Sequence, residues 1–232
     1  MDLIIEKATG VQSLLFRTIE YLGNQPLRRR GVPSVEVRDN YRPWLFQSPP
    51  GSYQFAVSIE RPAQAELFGL SHFGPAQITE TFLEIVRASA ESPSEQLPKI
   101  VRDEGYRSVF LKMVRNLSPN GKSADQIELS GSNVEQPVVL FQHSRDIIKA
   151  STDLATKLQG SQTQETLRGI LRAVHLDKDW LDITIDDNPY HVTGVSEVVD
   201  DVIGPMVNHE VLIRVSRKGK GRLLFVDIEL AD

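Results

Sequence analysis

The sequence predicts an α+β protein: an N-terminal α+β domain, in which a β-hairpin packs on helices, followed by a small five-stranded β-barrel. Three observations carry this. Tyr53, Phe55, Val57 and Ile59 alternate with Ser52, Gln54, Ala56 and Ser58, the period of a half-buried strand. Apolar stripes at helical spacing recur on both sides of that strand, up to residue 158. Beyond "QGSQTQ" (159–164), a polar stretch with the composition of a linker, strand patterns take over in the order three strands, a short helix, two strands. The predicted domains are therefore 1–160 and 161–232.

In chain order, Val11, Leu15, Ile19 and Leu22 predict a helix over 9–22, with Thr9 as cap and Gly23-Asn24 with Pro26 as stop. "PLRRRGVPSVEVRDNYRP" is rich in proline, glycine and charge and reads as a mobile connector, its Arg28–Arg30 run a solvated one. "WLFQSPPGSYQFAVSIE" predicts a hairpin turning at Pro50-Gly51, since proline presets one φ and glycine takes the positive one. Its apolar face is expected against the helices. Ile78, Phe82, Ile85 and Val86 predict a helix over 77–90. Ser92-Pro93-Ser94-Glu95 has the form of a capping box opening a short helix that Pro98 distorts or restarts. Val109, Met113, Val114 and Leu117 stripe a helix over 106–117, a core face rather than a ligand box. Short strands at 125–130 and 137–142 precede a helix at 145–158, with Ser144 as cap and Ile147, Ile148, Leu154 and Leu158 inside.

The last third reads as "TLRGILRAVHL", "WLDITID" and "YHVTG", then "SEVVDDVI" as the helical piece, then "HEVLIRVS" and "RLLFVDIEL". A helix between the third and fourth strands is the order of an OB-like barrel; an SH3-like barrel is the rival. Gly169 inside the first strand suits a bend at a barrel corner. Alternation turns Leu181, Ile183, Ile185, Val211, Ile213, Val215, Leu224, Val226, Ile228 and Leu230 inward, and Trp180, Asp182, Thr184, Leu223, Phe225 and Asp227 outward.

Trp180 and Phe225 are thus candidate binding residues, with packing on the N-terminal domain as the plainer alternative. So are Arg217, Lys218, Lys220 and Arg222, four cations in the glycine-spaced "SRKGKGR". Cations and close-approaching backbone suit phosphate, but a tight hairpin tip asks for the same glycines and the same charge. The charge balance weighs against nucleic acid. Residues 161–232 hold eight Lys/Arg and thirteen Asp/Glu, a net of −5, whereas 1–160 are neutral.

There is no cysteine, which excludes disulfides, thiolate metal sites and a cysteine nucleophile. His175, Asp177 and Asp179 alternate, so an extended chain would aim all three one way, toward a metal. The run also reads as a turn, where Asp and Lys are ordinary surface, and no metal or cofactor is expected. Asp-Asp pairs stand at 186–187 and 200–201, and His72, His143, His191 and His209 stand alone in sequence. No H-E-x-x-H, G-x-S-x-G or Walker-type loop occurs, so no catalytic residue is assigned. The start "MDLIIEKATG" lacks the positive, then long apolar, pattern of a secretory leader, and no apolar run reaches membrane-span length. The expected protein is cytoplasmic and non-enzymatic, a protein–protein interaction or assembly module. Binding of single-stranded nucleic acid through the barrel is the alternative, and an enzyme of unidentified type the third reading.

Overall fold

The first helix, α1 (Asp2–Leu22), starts seven residues before its expected cap, because Asp2–Ala8 contain no helix breaker and Thr9 continues the helix. Gly10 would ordinarily weaken such a helix. It faces α5 (Glu104–Leu117), where an added Cβ would lie 3.8 Å from Leu117 Cδ1. The structure is a computed structural model; it describes residues 2–47, 55–60, 73–121, 124–132, 134–158, 164–196, 198–218 and 221–231. The chain divides into two compact units, Met1–Ile148 and Lys149–Asp232.

In the first unit, α1 packs with α3 (Pro75–Glu91) and α5, which also pack on each other. Val11, Leu15, Ile19, Ile78, Ile85, Val86 and Val114 are buried at the helical spacings that the sequence predicts; Leu14 and Phe110, outside the predicted stripes, are buried too, and Leu22 is only half-buried. The stretch expected as a mobile connector holds a short helix, α2 (Val35–Asn40), because the Ser34 side chain accepts the Val37 amide hydrogen. Arg28 in the same stretch is tied down, its Nε 2.7 Å from Glu20 Oε1. Ser92 ends α3 instead of opening a helix: its amide donates to the Ala88 carbonyl, and its own carbonyl accepts from Gln96. The next helix, α4 (Leu97–Ile100), carries Pro98 in its first turn, where no donor is lost. Asp103 caps α5 through the Tyr106 amide, a signal the sequence reading passed over.

Among the described residues, this unit also holds two antiparallel strand pairs. β1 (Arg42–Gln47) pairs with β2 (Phe55–Glu60), and β3 (Gln126–Leu129) with β4 (Val138–Phe141). The Pro50-Gly51 turn and Tyr53 lie outside the described residues. Val57 and Ile59 are half-buried and Ser58 exposed, in keeping with the alternation. The last helix to begin here, α6 (Gln142–Leu158), starts before Ser144, whose hydroxyl accepts the Phe141 amide from within the first turn. Ser144 is therefore not its cap residue.

The second unit is built on β5 (Gln164–His175), β6 (Trp180–Ile185), β7 (Asn188–Thr193), β8 (Glu210–Lys218) and β9 (Arg222–Leu230), with α7 (Asp200–Ile203) between the third and fourth strands. The hydrogen-bonded order β5-β6-β7-β9-β8 closes on itself through β5 and β8. Neighbours are antiparallel except β7 and β9, which run parallel. Closure requires β5 to serve two partners: its first half pairs with β8 and its second with β6, the exchange falling at Gly169–Leu171. Gly169 sits there because the Thr184 carbonyl comes too close for a side chain. Leu171, Leu181, Ile183, Val211, Ile213 and Val215 are fully buried in the interior, and Val202, Ile203 and Met206 of the segment between β7 and β8 are buried as well.

The outer face of β8 and β9 carries charges bound to the second half of α6. Lys149 Nζ lies 2.7 Å from Glu229 Oε1, and Arg214 bridges Asp153 and Asp227. Burial alone would lower the Arg214 pKa; bonds to the two carboxylates raise it instead.

One expected face is corrected. The β8–β9 register shifts between Arg214 and Val215, so Val215 stands opposite Phe225 and Arg217 opposite Leu223. Directly opposed residues share a face, and one extra residue in β9 reverses the alternation beyond it. Leu223 and Phe225 therefore lie on the interior face with Val215. Leu223 is buried and Leu224 only half-buried, the reverse of the plain period-two count.

Candidate binding face on the barrel

The hairpin β6–β7 turns through Asp186 and Asp187, both at positive φ (48° and 63°), the backbone of a primed two-residue turn. That turn fixes the register. Asp182 falls opposite His191 and Trp180 opposite Thr193, while β5 brings His175 opposite Trp180. All five share the outer face.

The three rings form a row with the indole in the middle. The His175–Trp180 centroids are 5.7 Å apart at 41°, and the Trp180–His191 centroids 5.3 Å at 37°. Each imidazole is held by a second contact. His175 Nδ1 accepts the Lys178 amide at 3.2 Å, and His191 Nδ1 lies 2.6 Å from Asp182 Oδ1. The Asp182 and His191 side chains are 37% and 56% exposed, so this pair stands in water, whereas His175 and Trp180 are half-buried. At its edge, Arg222 Nε donates to Thr193 Oγ1 at 3.2 Å. Two side chains singled out in the sequence, Trp180 and Arg222, thus meet one surface through Thr193.

The other candidates are placed differently. Phe225 belongs to the interior face. Arg217 is exposed but paired, its Nε 2.8 Å from Glu165 Oε1. Lys218 pairs with Arg222 as the last rung of the β8–β9 hairpin; Lys220 lies outside the described residues. The run His175, Asp177, Asp179 is not extended. A 3-10 turn, Leu176–Lys178, bends it, and Asp179 adopts φ 63° and accepts the Ser196 amide at 2.7 Å.

Sequence reasoning missed His175, Asp182, His191 and Thr193 as one surface. The signal was present in Asp186-Asp187: counting outward from a two-residue turn sets Asp182 against His191. Comparison with protein-family models, curated proteins and solved structures finds no match to this chain.

Proposed function

We propose that this chain is a non-enzymatic binding protein, a protein–protein interaction or assembly module of the cytoplasm that docks through the outer face of an OB-type barrel. The observation that carries this is the outer-face row His175–Trp180–His191, exposed at His191 and half-buried at the other two rings, held in place by Asp182 and the Lys178 amide. Aromatic side chains with fixed orientation are the anchors of binding surfaces, because little side-chain entropy remains to be lost. The OB type is favoured by the helix between the third and fourth strands and by the parallel contact of β7 and β9; an SH3-like meander pairs successive strands antiparallel. The non-enzymatic reading is supported by the wet setting of the Asp182–His191 pair, since electrostatic catalysis gains its strength from excluding water.

A protein partner fits this face better than nucleic acid. Asp182 stands beside the aromatic row, bonded to His191 at its end, and Arg217, Arg168 and Arg214 are matched by carboxylates of the chain itself. The test is affinity capture from native lysate with the full chain and with Trp180→Ala, circular dichroism confirming that both are folded. The expected result is a partner retained by the wild type and lost with the variant. Identical captured proteins would refute docking through this face.

A further inference from the structure

The ligand chemistry of the Trp180 face follows from three features of the same surface. The indole is half-buried between two imidazoles, His175 and His191, and the part it leaves to solvent lies on the outer face of the sheet. Asp182 lies two residues further along the same strand, on the same face; His191 occupies its Oδ1, which leaves Oδ2 to accept from a ligand. The region that carries this face, 161–232, has five more acidic than basic residues. An aromatic face attracts a cation held within about 6 Å of its centre, most strongly for tryptophan. A neighbouring carboxylate adds a charge-assisted hydrogen bond. Phosphate would meet the opposite, since Asp182 repels it.

We propose that this face, taken as the docking site argued above, receives a lysine or arginine side chain from a basic peptide segment of the partner. The cation lies over the Trp180 indole and donates to Asp182, while His175 and His191 hold the two recognition groups in register. A guanidinium suits the geometry well, since its plane lies flat on the indole while an N–H reaches the carboxylate at the side.

The probes are a fluorescein-labelled nine-residue peptide alternating glycine with arginine and lysine, its glutamate counterpart, and a twelve-nucleotide oligo-dT. Each is titrated against the full chain by anisotropy at two salt concentrations. The basic peptide is expected to bind in the micromolar range, with the other two at least tenfold weaker. Trp180→Ala should weaken the basic peptide about tenfold, the scale of a partly desolvated cation–π contact. Asp182→Asn preserves the side-chain shape and gives a second readout if Trp180→Ala fails to fold; it should weaken the peptide several-fold. Replacing Arg217, which pairs with Glu165, by glutamine should leave the basic peptide at wild-type affinity. Tighter binding of oligo-dT than of peptide would overturn the inference, as would peptide binding that neither Trp180→Ala nor Asp182→Asn changes. If lysate capture still depends on Trp180 while the basic peptide fails to bind, the cation inference falls and the docking face stands. Loss of both dependences removes the face itself.

Discussion

Two glycines illustrate how single positions in this chain respond to one added methyl group with opposite sign. At Gly10, within α1, an alanine Cβ would meet Leu117 at ordinary contact distance while removing backbone freedom from the unfolded chain. Gly10→Ala should therefore stabilise the protein by about 0.5–1 kcal/mol, read from the denaturant midpoint. At Gly169 the same methyl would press on the Thr184 carbonyl oxygen, with Ile185 Cγ1 and Ile183 Cγ1 at 2.8 and 2.9 Å. Backbone oxygen cannot swing aside as a side chain can, so Gly169→Ala should cost about 1–3 kcal/mol in the same assay. Tyr106 supplies a pH-dependent term. Burial, with the charge of Glu20 adding to it, pushes its phenol up to about 12; its hydroxyl donates to the Gln25 carbonyl at 3.1 Å. An unfolded tyrosine titrates near 10. Between about pH 10 and 12 the unfolded chain loses this proton first, so stability is full below pH 10 and falls as pH rises through that window. Tyr106→Phe should flatten the fall, measured as the denaturant midpoint against pH.

Among the elements, α6 shows how a helix is fixed to a sheet surface by charge. Lys149 and Asp153 lie one turn apart, facing Glu229 and Arg214 on adjacent strands. Asp227 and Glu229 are nearly buried, so losing these partners would leave buried carboxylates unpaired. Arg214→Ala leaves Asp153 and Asp227 together without the cation between them. It should destabilise by about 1–3 kcal/mol, and Asp227→Asn in the same chain should recover part of the loss. The sequence showed these strands by their alternation but not the pairing of their outer charges with a helix some sixty residues earlier. The bulge in β9 was hidden for a related reason. "RLLFVDIEL" is apolar at enough successive positions that either phase reads as a strand, and only the Val215–Phe225 pairing selects one. The helix stripes were legible because Ile78, Phe82, Ile85 and Val86 allow only one face. Helix ends were not, because Ser92, Thr9 and Ser144 each have the chemistry of a cap and bond or continue otherwise.

For the molecule as a whole, Met1–Ile148 and Lys149–Asp232 each gather their own apolar interior. The binding face was readable only in part: Trp180 stood out by type, whereas His191 joined it through a turn register that local sequence states indirectly. Two separate interiors have a measurable consequence. Phe110 is fully buried within the first unit and Ile213 within the second. Removing the Phe110 ring leaves a cavity worth about 3–5 kcal/mol, and trimming Ile213 to alanine one worth about 2–5 kcal/mol. Local opening reports the stability of the cooperative unit in which an amide lies. Hydrogen exchange in Ile213→Ala should therefore accelerate first in peptides covering β5, β6, β8 and β9, with α1, α3 and α5 keeping wild-type protection. Phe110→Ala should give the converse pattern. Equal acceleration across both sets of peptides in either variant would show one cooperative unit in place of two, and the separate interiors would then not act as separate folding units.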